Sequence, residues 1–484
     1  MSLPSPVFHR WASRFLALAI GFAVPFAAPA FCADARAEQS AKIDIPFQKY
    51  KLDNGLVVIL HEDHSLPLVV VNTCVKVGSR FEEPKRTGFA HLFEHLMFMG
   101  TKRVPPKMFD GWMEAAGGSN NAWTSTDRTD YYDIGPSNSI DLLLWLEADR
   151  FASLADEMTQ EKLDVQREVV RNERRQRSEN MPYAKADLRL SELLFPVGHP
   201  YHHPTIGSHE DLQAATVRDV KNFFRRWYVP NNASLVVAGD FDPAFVKPII
   251  EKRFGPLRNT PVPAAPEVPK VKLGKIVRET LKDNVELSKI VMAWHSASRY
   301  TPGDAELDLL SVILTEGKVS RLYKALVYDQ ALAQEVVAYQ ASSDSGSYFE
   351  IDAIAQPGVP LEKLEAAIDA EIKKLSSETV SAAELLRAQN QFETGFVARL
   401  QSIHRRAMTL NLYETFTGDP AFAEKDLDRY RSVTPASLLA NRTFSYAFER
   451  VKSAAICFSC PRPNSNNRWP FGFSRASASL MTRW

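Results

Sequence analysis

Apolar and polar residues alternate in two runs along 46-PFQKYKLDNGLVVILHEDH-64, broken by Asp53-Asn54-Gly55. A period of two on either side of such a turn predicts strand, turn and strand. From Pro67 to Ser79, PLVVVNTCVKVGS predicts a third strand. The pattern then changes. In 88-GFAHLFEHLMFMG-100 apolar residues surround the whole circumference of a helix, which predicts a buried one. A loop follows, then a strand near 129-TDYYDIG-135 and helices through about Arg177. A further helix and the strand 234-SLVVAGDF-241 come next.

The segment 256-PLRNTPVPAAPEVPKVK-272 holds five prolines and neither period, so residues 256–275 read as an extended linker. Beyond it the pattern restarts, with strand-like 289-KIVMAWHSA-297 and helix-like 304-DAELDLLSVILTEG-317. Strand, loop and apolar helix ending in glycine thus occur twice. The reading is an α+β fold of two similar domains, 42–255 and 276–460, each an antiparallel-rich sheet packed by helices. The repeat supplies a comparison. With Gly317 set against Gly100, Asp308, Ser311 and Val312 take the places of His91, Glu94 and His95. The second copy of the helix needs no histidines, so the first carries something extra.

Composition narrows the partners. The 484 residues hold 58 Lys plus Arg and 58 Asp plus Glu, a formal net charge of zero. That balance points to no nucleic acid and no acidic membrane surface. At the start of the chain, His9, Arg10 and Arg14 precede the apolar run 15-FLALAIGFAVPFAAPAF-31 and the small residues of 28-APAFCADARA-37. Residues 1–37 read as a signal peptide cleaved on export, to the periplasm or outside the cell. An uncut anchor is the alternative, and no later segment is apolar for long enough to span a bilayer. The polar, basic stretch 461–484 reads as a disordered tail. Cys74 lies in a strand pattern and reads as core. Cys457 and Cys460 form a lone CxxC, without the second pair that a structural zinc site needs.

The buried helix carries the chemistry. Residues four apart share a helix face, so His91 and His95 aim two imidazoles at one point, with Glu94 at the edge of that face. A catalytic zinc takes three protein ligands plus water, and lowers the pKa of that water to about 7, where a carboxylate can take its proton. H-x-x-E-H is one of the zinc peptidase patterns. Two buried histidines and a buried glutamate need partners, and a metal satisfies all three. A third ligand is expected from a second helix, 161-EKLDVQREVVRNERRQRSEN-180, where Glu168 and Glu173 both qualify. Spacing does not separate them. His199, His202 and His203 sit in the proline-broken HPYHHP and read as loop and packing residues.

With 117-GGSNNAWTSTDRTDYY-132, 199-HPYHHPTIG-207 and 229-VPNNASLVVAGDFD-242, these segments resemble the pitrilysin or insulinase family of zinc peptidases, which includes mitochondrial processing peptidase. The resemblance runs from about Phe47 to about Pro461. It implies half of a clamshell peptidase with one zinc per chain. His91, His95 and Glu173 would be the ligands and Glu94 the general base. The family's second acid, seven residues before the third ligand, falls here at Gln166, two helical turns away on the same face. Asn121 and Ala122 match an edge strand to which a peptide adds by main-chain hydrogen bonds.

One departure bears on partners. Members with complete sites carry an Arg and a Tyr, seven apart, in the later half of the enzyme. Val327 and Gln334 occupy those positions here, and Arg321 and Tyr323 lie nearby at a different spacing. In two-subunit members one chain brings the metal and another the Arg–Tyr pair. The resemblance therefore implies an exported zinc endopeptidase of peptides or unfolded segments, working with a homologous Arg–Tyr-bearing subunit. The alternative is a non-catalytic structural or peptide-binding subunit of a larger complex. Relatives in that role usually lose the zinc residues, which are all present here.

Overall fold

The computed structural model describes residues 42–271, 273, 275–440 and 454–459. The expected signal segment, the tail and Cys460 lie outside the described residues. The first part of the chain forms β1 (Gln48–Lys51), β2 (Val57–Glu62), β3 (Leu68–Val75), β4 (Ser119–Thr124), β5 (Thr129–Pro136) and β6 (Ala233–Gly239). They lie side by side in the order β1-β2-β6-β3-β5-β4. The later part forms β7 (Val277–Lys282), β8 (Lys289–His295), β9 (Ala333–Ala341), β10 (Tyr348–Ala355) and β11 (Ala454–Ser459), in the order β7-β11-β8-β10-β9. Without β1 the two orders are the same. In each sheet one pair is parallel, β2 with β6 and β7 with β11, and the remaining pairs are antiparallel. The pattern that repeats in the sequence is a topology that repeats in space.

The first part of the chain also forms α1 (Phe89–Leu96), α2 (Met108–Ala115), α3 (Ile140–Ser153), α4 (Gln160–Glu173), α5 (Lys185–Leu194), α6 (His209–Ala214), α7 (Val217–Trp227) and α8 (Pro243–Phe254). The later part adds α9 (Asp304–Thr315), α10 (Leu361–Ser377), α11 (Ala382–Arg399), α12 (Ile403–Thr417) and two short helices. Between Phe254 and Val277 the described residues form no helix or strand. The loop expected after the histidine helix contains α2. Its start lacks the usual signals, because Lys107 stands at the N-cap in the left-handed region (φ +69°) and no side chain caps it. In the helix matching α1 in the later part, α9, Asp308 is half-buried, and its Oδ2 accepts a 2.7 Å hydrogen bond from the Tyr430 hydroxyl. That position serves packing.

Two helices cross over. Leu190 and Leu194 of α5 pack against Val291 and Ala293 of the second sheet. Ala407 and Leu410 of α12 pack against Ile59, Val70 and Val236 of the first. Each part of the chain therefore covers a bare face of the other's sheet, and burial of that apolar area fixes the two sheets together. Asn411 locks α12 in register. Its Nδ2 donates to Asn72 O (3.1 Å) and Asn72 Oδ1 (2.8 Å), and the Ser234 hydroxyl donates to its Oδ1. All three residues are fully buried. Asn411→Leu leaves these groups unpaired, so it is expected to destabilise the chain by about 2–3 kcal/mol. The midpoint of urea unfolding reads this directly. A shift worth less than about 0.5 kcal/mol, the size of an ordinary surface change, would contradict the role of Asn411 as a lock.

Candidate metal centre

The first turn of α1 is held from outside the helix. Gly88 occupies its N-cap with φ +83°, and a Cβ there would meet Ile206 O at 2.7 Å, so only glycine fits. Having no side chain, Gly88 cannot cap. The buried carboxylate of Glu82 does so instead, accepting from Gly88 N (2.9 Å) and Ala90 N (2.7 Å). Leu92, Phe93 and Leu96 face the core, where Phe93 packs on Phe223, Phe224 and Tyr228. That packing turns His91 and His95 toward α4.

Helix α4 is fixed as firmly. Thr159 caps its start by accepting from Lys162 N (3.3 Å). Buried Arg167 donates to Leu212 O (2.9 Å) and Ala215 O (2.6 Å), which sets the rotation of the helix. Glu173 closes α4, and the chain continues as a π-helical stretch, Arg174–Glu179. Such widened turns recur at functional sites.

The two helices bring four residues together. His91 Nε2 and His95 Nε2 stand 3.3 Å apart. Glu173 Oε2 lies 3.7 Å from the first and 3.3 Å from the second. The other Glu173 oxygen, Oε1, forms an ion pair with Arg177 at 2.8 Å, and Oε2 faces the imidazoles. A tetrahedron with metal–ligand bonds of about 2.0–2.1 Å has edges of about 3.3–3.4 Å. Two of the three separations match that edge and the third is slightly long, so the donor set of two imidazoles and one carboxylate fits zinc. Burial, and then the charge of His95, drive His91 down to about 4, which keeps it in the neutral form that ligates. The hydrogen bond from His95, with help from His91 and Arg177, holds Glu173 below the usual carboxylate range.

Glu94 is 8% exposed, and burial pushes its carboxyl up to about 7 against the opposing hydrogen bond from Thr124. The Thr124 hydroxyl donates to Glu94 Oε2 at 2.6 Å. This contact ties the last residue of β4 to the helix. β4 pairs only with β5 among the described residues, so its other edge is open. Asn121 and Ala122 lie in its middle, opposite Tyr132 and Tyr131, and the Ala122 N–H donates to Asn121 Oδ1 (2.8 Å).

The remaining sequence candidates take other positions. Glu168 points outward and pairs with Arg171 at 2.6 Å. Gln166 brings its Nε2 to 2.7 Å from Met99 Sδ. His199 and His202 bond to the backbone oxygens of Pro269 (3.2 Å) and Phe195 (2.7 Å). Val327 packs against the second core, and Arg321 forms a two-pronged ion pair with Glu384. Sequence reasoning missed Glu82, Thr124 and Arg177. Only Arg177 had a local signal, the i,i+4 spacing from Glu173.

Residues 57–197 match the family described as Insulinase (Peptidase family M16), and residues 214–392 match Peptidase M16 inactive domain. The zinc protease PqqE of Helicobacter pylori is 32% identical over 356 residues, 72% of this chain and 79% of that protein. A probable mitochondrial-processing peptidase subunit beta of Arabidopsis thaliana is 25% identical over 360 residues, 72% of this chain and 66% of its own. The crystal structure of a protease from Helicobacter pylori superposes with a TM-score of 0.80 at 28% identity, covering 86% of this chain and 99% of that one. The periplasmic protease PqqL of Escherichia coli shares the fold, with a TM-score of 0.70 at 17% identity. There 92% of this chain matches 53% of the other.

Proposed function

The chain belongs to the insulinase (M16) family of peptidases, and on that premise we propose that it is a zinc-dependent endopeptidase whose site is His91, His95, Glu173 and Glu94. The observation that carries the reading is the convergence of His91 Nε2, His95 Nε2 and Glu173 Oε2 within 3.3–3.7 Å of one another, with a buried carboxylate beside them. Those three atoms would hold the ion. Zinc, when bound there, supplies a Lewis acid that polarises a peptide carbonyl and acidifies water. Glu94 takes a proton from the attacking water as the carbon–oxygen bond forms, and returns it to the amide nitrogen as the carbon–nitrogen bond breaks. Thr124 holds one oxygen of Glu94 and leaves the other free for that transfer. The open edge of β4, at Asn121 and Ala122, receives the substrate as an added strand, which suits a peptidase that tolerates varied side chains.

The same reading includes a partner and a compartment. Val327 and Gln334 stand where an Arg and a Tyr are expected, and neither supplies the positive charge or the phenol of that pair. The match of this chain to about half of PqqL supports pairing with a second, homologous half. Export rests on the N-terminal sequence. No helix among the described residues is long and apolar enough to cross a membrane. Peptide hydrolysis by the purified chain, alone and mixed with a homologous Arg–Tyr-bearing subunit, tests the pairing. The mixture is expected to be at least roughly tenfold faster, since one stabilising donor at a developing oxyanion is worth more than that. Equal rates would end the case for a partner.

A further inference from the structure

The segment 199–211 binds no metal in the reading above, yet it is tied into the molecule on two sides. On one side it grips the residues that lead into α1. The Ser79 and Thr205 hydroxyls lie 3.3 Å apart, and Asp211 accepts from the Thr87 hydroxyl at 2.6 Å. His203 Nδ1 stands 3.6 Å from Glu82, the cap of α1. On the other side Tyr201 faces the later part of the chain. Its hydroxyl donates to Asp127 Oδ1 at 2.7 Å and accepts from Ser345 N at 3.2 Å.

Ser345 belongs to the turn between β9 and β10, residues 342–347. The turn is closed on itself, since Ser343 N donates to Ser347 Oγ at 2.9 Å and the Ser347 hydroxyl to Ser343 O at 3.0 Å. It docks on the first part of the chain as one piece. Asp344 N donates to Asp127 Oδ2 at 3.1 Å, and Arg80 pairs with both Asp344 and Asp127. Tyr201 and Asp127 are buried, so these charge-assisted bonds are strong and costly to break. Gly346 lies against the Tyr201 ring, where a Cβ would meet ring atoms at 2.8 Å.

The residues that receive the turn lead to both supports of Glu94. Arg80 is two residues before Glu82, which caps α1. Asp127 is three residues after Thr124, which holds Glu94 Oε2. The two segments are joined to each other by Ser79 N donating to Ser125 O (3.2 Å) and Arg80 N to Thr126 O (3.0 Å). A helix of eight residues is not stable alone, so the place of α1 depends on such outside contacts.

We propose that the β9–β10 turn braces the catalytic geometry, and that Tyr201 and Gly346 are positioning residues that act through this dock on α1 and Thr124. The effect on catalysis rests on the peptidase reading above; the brace itself does not. The test compares the full chain with Tyr201→Phe, which removes only the hydroxyl, Gly346→Ala, which pushes the turn off from the other side, and the pair. Amide hydrogen exchange is followed by mass spectrometry, and kcat, KM and zinc content are measured with the partner subunit present. Each single variant is expected to exchange roughly tenfold faster in residues 79–97 and 119–128, the scale of one charge-assisted hydrogen bond, with α8 unchanged. Zinc should stay at one per chain and KM within about twofold, while kcat falls roughly tenfold, because misplacing a reacting group by about 1 Å costs up to about 100-fold. The double variant should be no worse than either single one, since both break the same contact. Exchange that is unchanged or that rises evenly over the chain, additive losses, or an unchanged kcat in an active enzyme overturns the brace. If exchange changes as expected but the wild type cuts no peptide, the brace stands and the peptidase reading falls.

Discussion

Glu94→Gln is expected to keep its zinc and to lose peptide hydrolysis by roughly a thousandfold. The amide has the shape of the carboxylate and can still accept from the Thr124 hydroxyl, which now bonds Glu94 Oε2 at 2.6 Å. Packing around α1 should therefore be undisturbed. The substitution removes only the ability to take a proton. Glu94 is also poised for the role, since burial raises its carboxyl to about 7 and makes it a stronger base than an exposed glutamate. Metal analysis and turnover on one preparation separate the outcomes. Zinc retained with activity intact would show that another group moves the proton. Zinc lost with activity would make Glu94 a positioning or ligating residue.

Glu173→Ala is expected to reduce zinc affinity by at least about 100-fold, more than the loss of a residue that only supports a ligand. Glu168→Ala, on the same helix, should leave affinity unchanged. Glu173 Oε2 lies within 3.7 Å of both imidazole nitrogens, whereas the Glu168 side chain is 52% exposed and paired with Arg171. Competition for zinc with a chromogenic chelator measures both variants. Similar affinities for the two would contradict the assignment of the third ligand.

This contrast shows what the sequence can and cannot specify. His91, Glu94 and His95 were legible because a helix converts fixed spacing into fixed direction, so five residues suffice. The third ligand lies on another element, and the rotation of α4 depends on Arg167 reaching the backbone of Leu212 and Ala215. No local pattern encodes that. The same holds for Glu82, which caps α1 from outside the helix, and for Thr124, which meets Glu94 only because β4 lies beside α1. Helix α2 lies where the sequence predicts a loop, and its N-cap, Lys107, is a residue that rarely starts a helix.

At the level of the fold, strands and long helices announced themselves by period, and the repeat of strand, loop and apolar helix is matched by two sheets of one strand order. The crossing of α5 and α12 was not legible. An amphipathic helix states that it has an apolar face, not which sheet will cover it. That choice is made by complementary surfaces such as Asn411 against Asn72 and Ser234, far apart in the chain.

The most direct test of the central claim is metal removal and return. The wild-type chain, mixed with its partner subunit if the mixing experiment requires one, is stripped with a chelator and titrated with zinc while peptide hydrolysis is followed. Hydrolysis should vanish on stripping and return to its full rate at one zinc per chain, with Glu173→Ala failing to recover at that ratio. Hydrolysis that persists in the stripped protein, or a stripped chain that takes up no zinc, would contradict a zinc peptidase site at His91, His95 and Glu173.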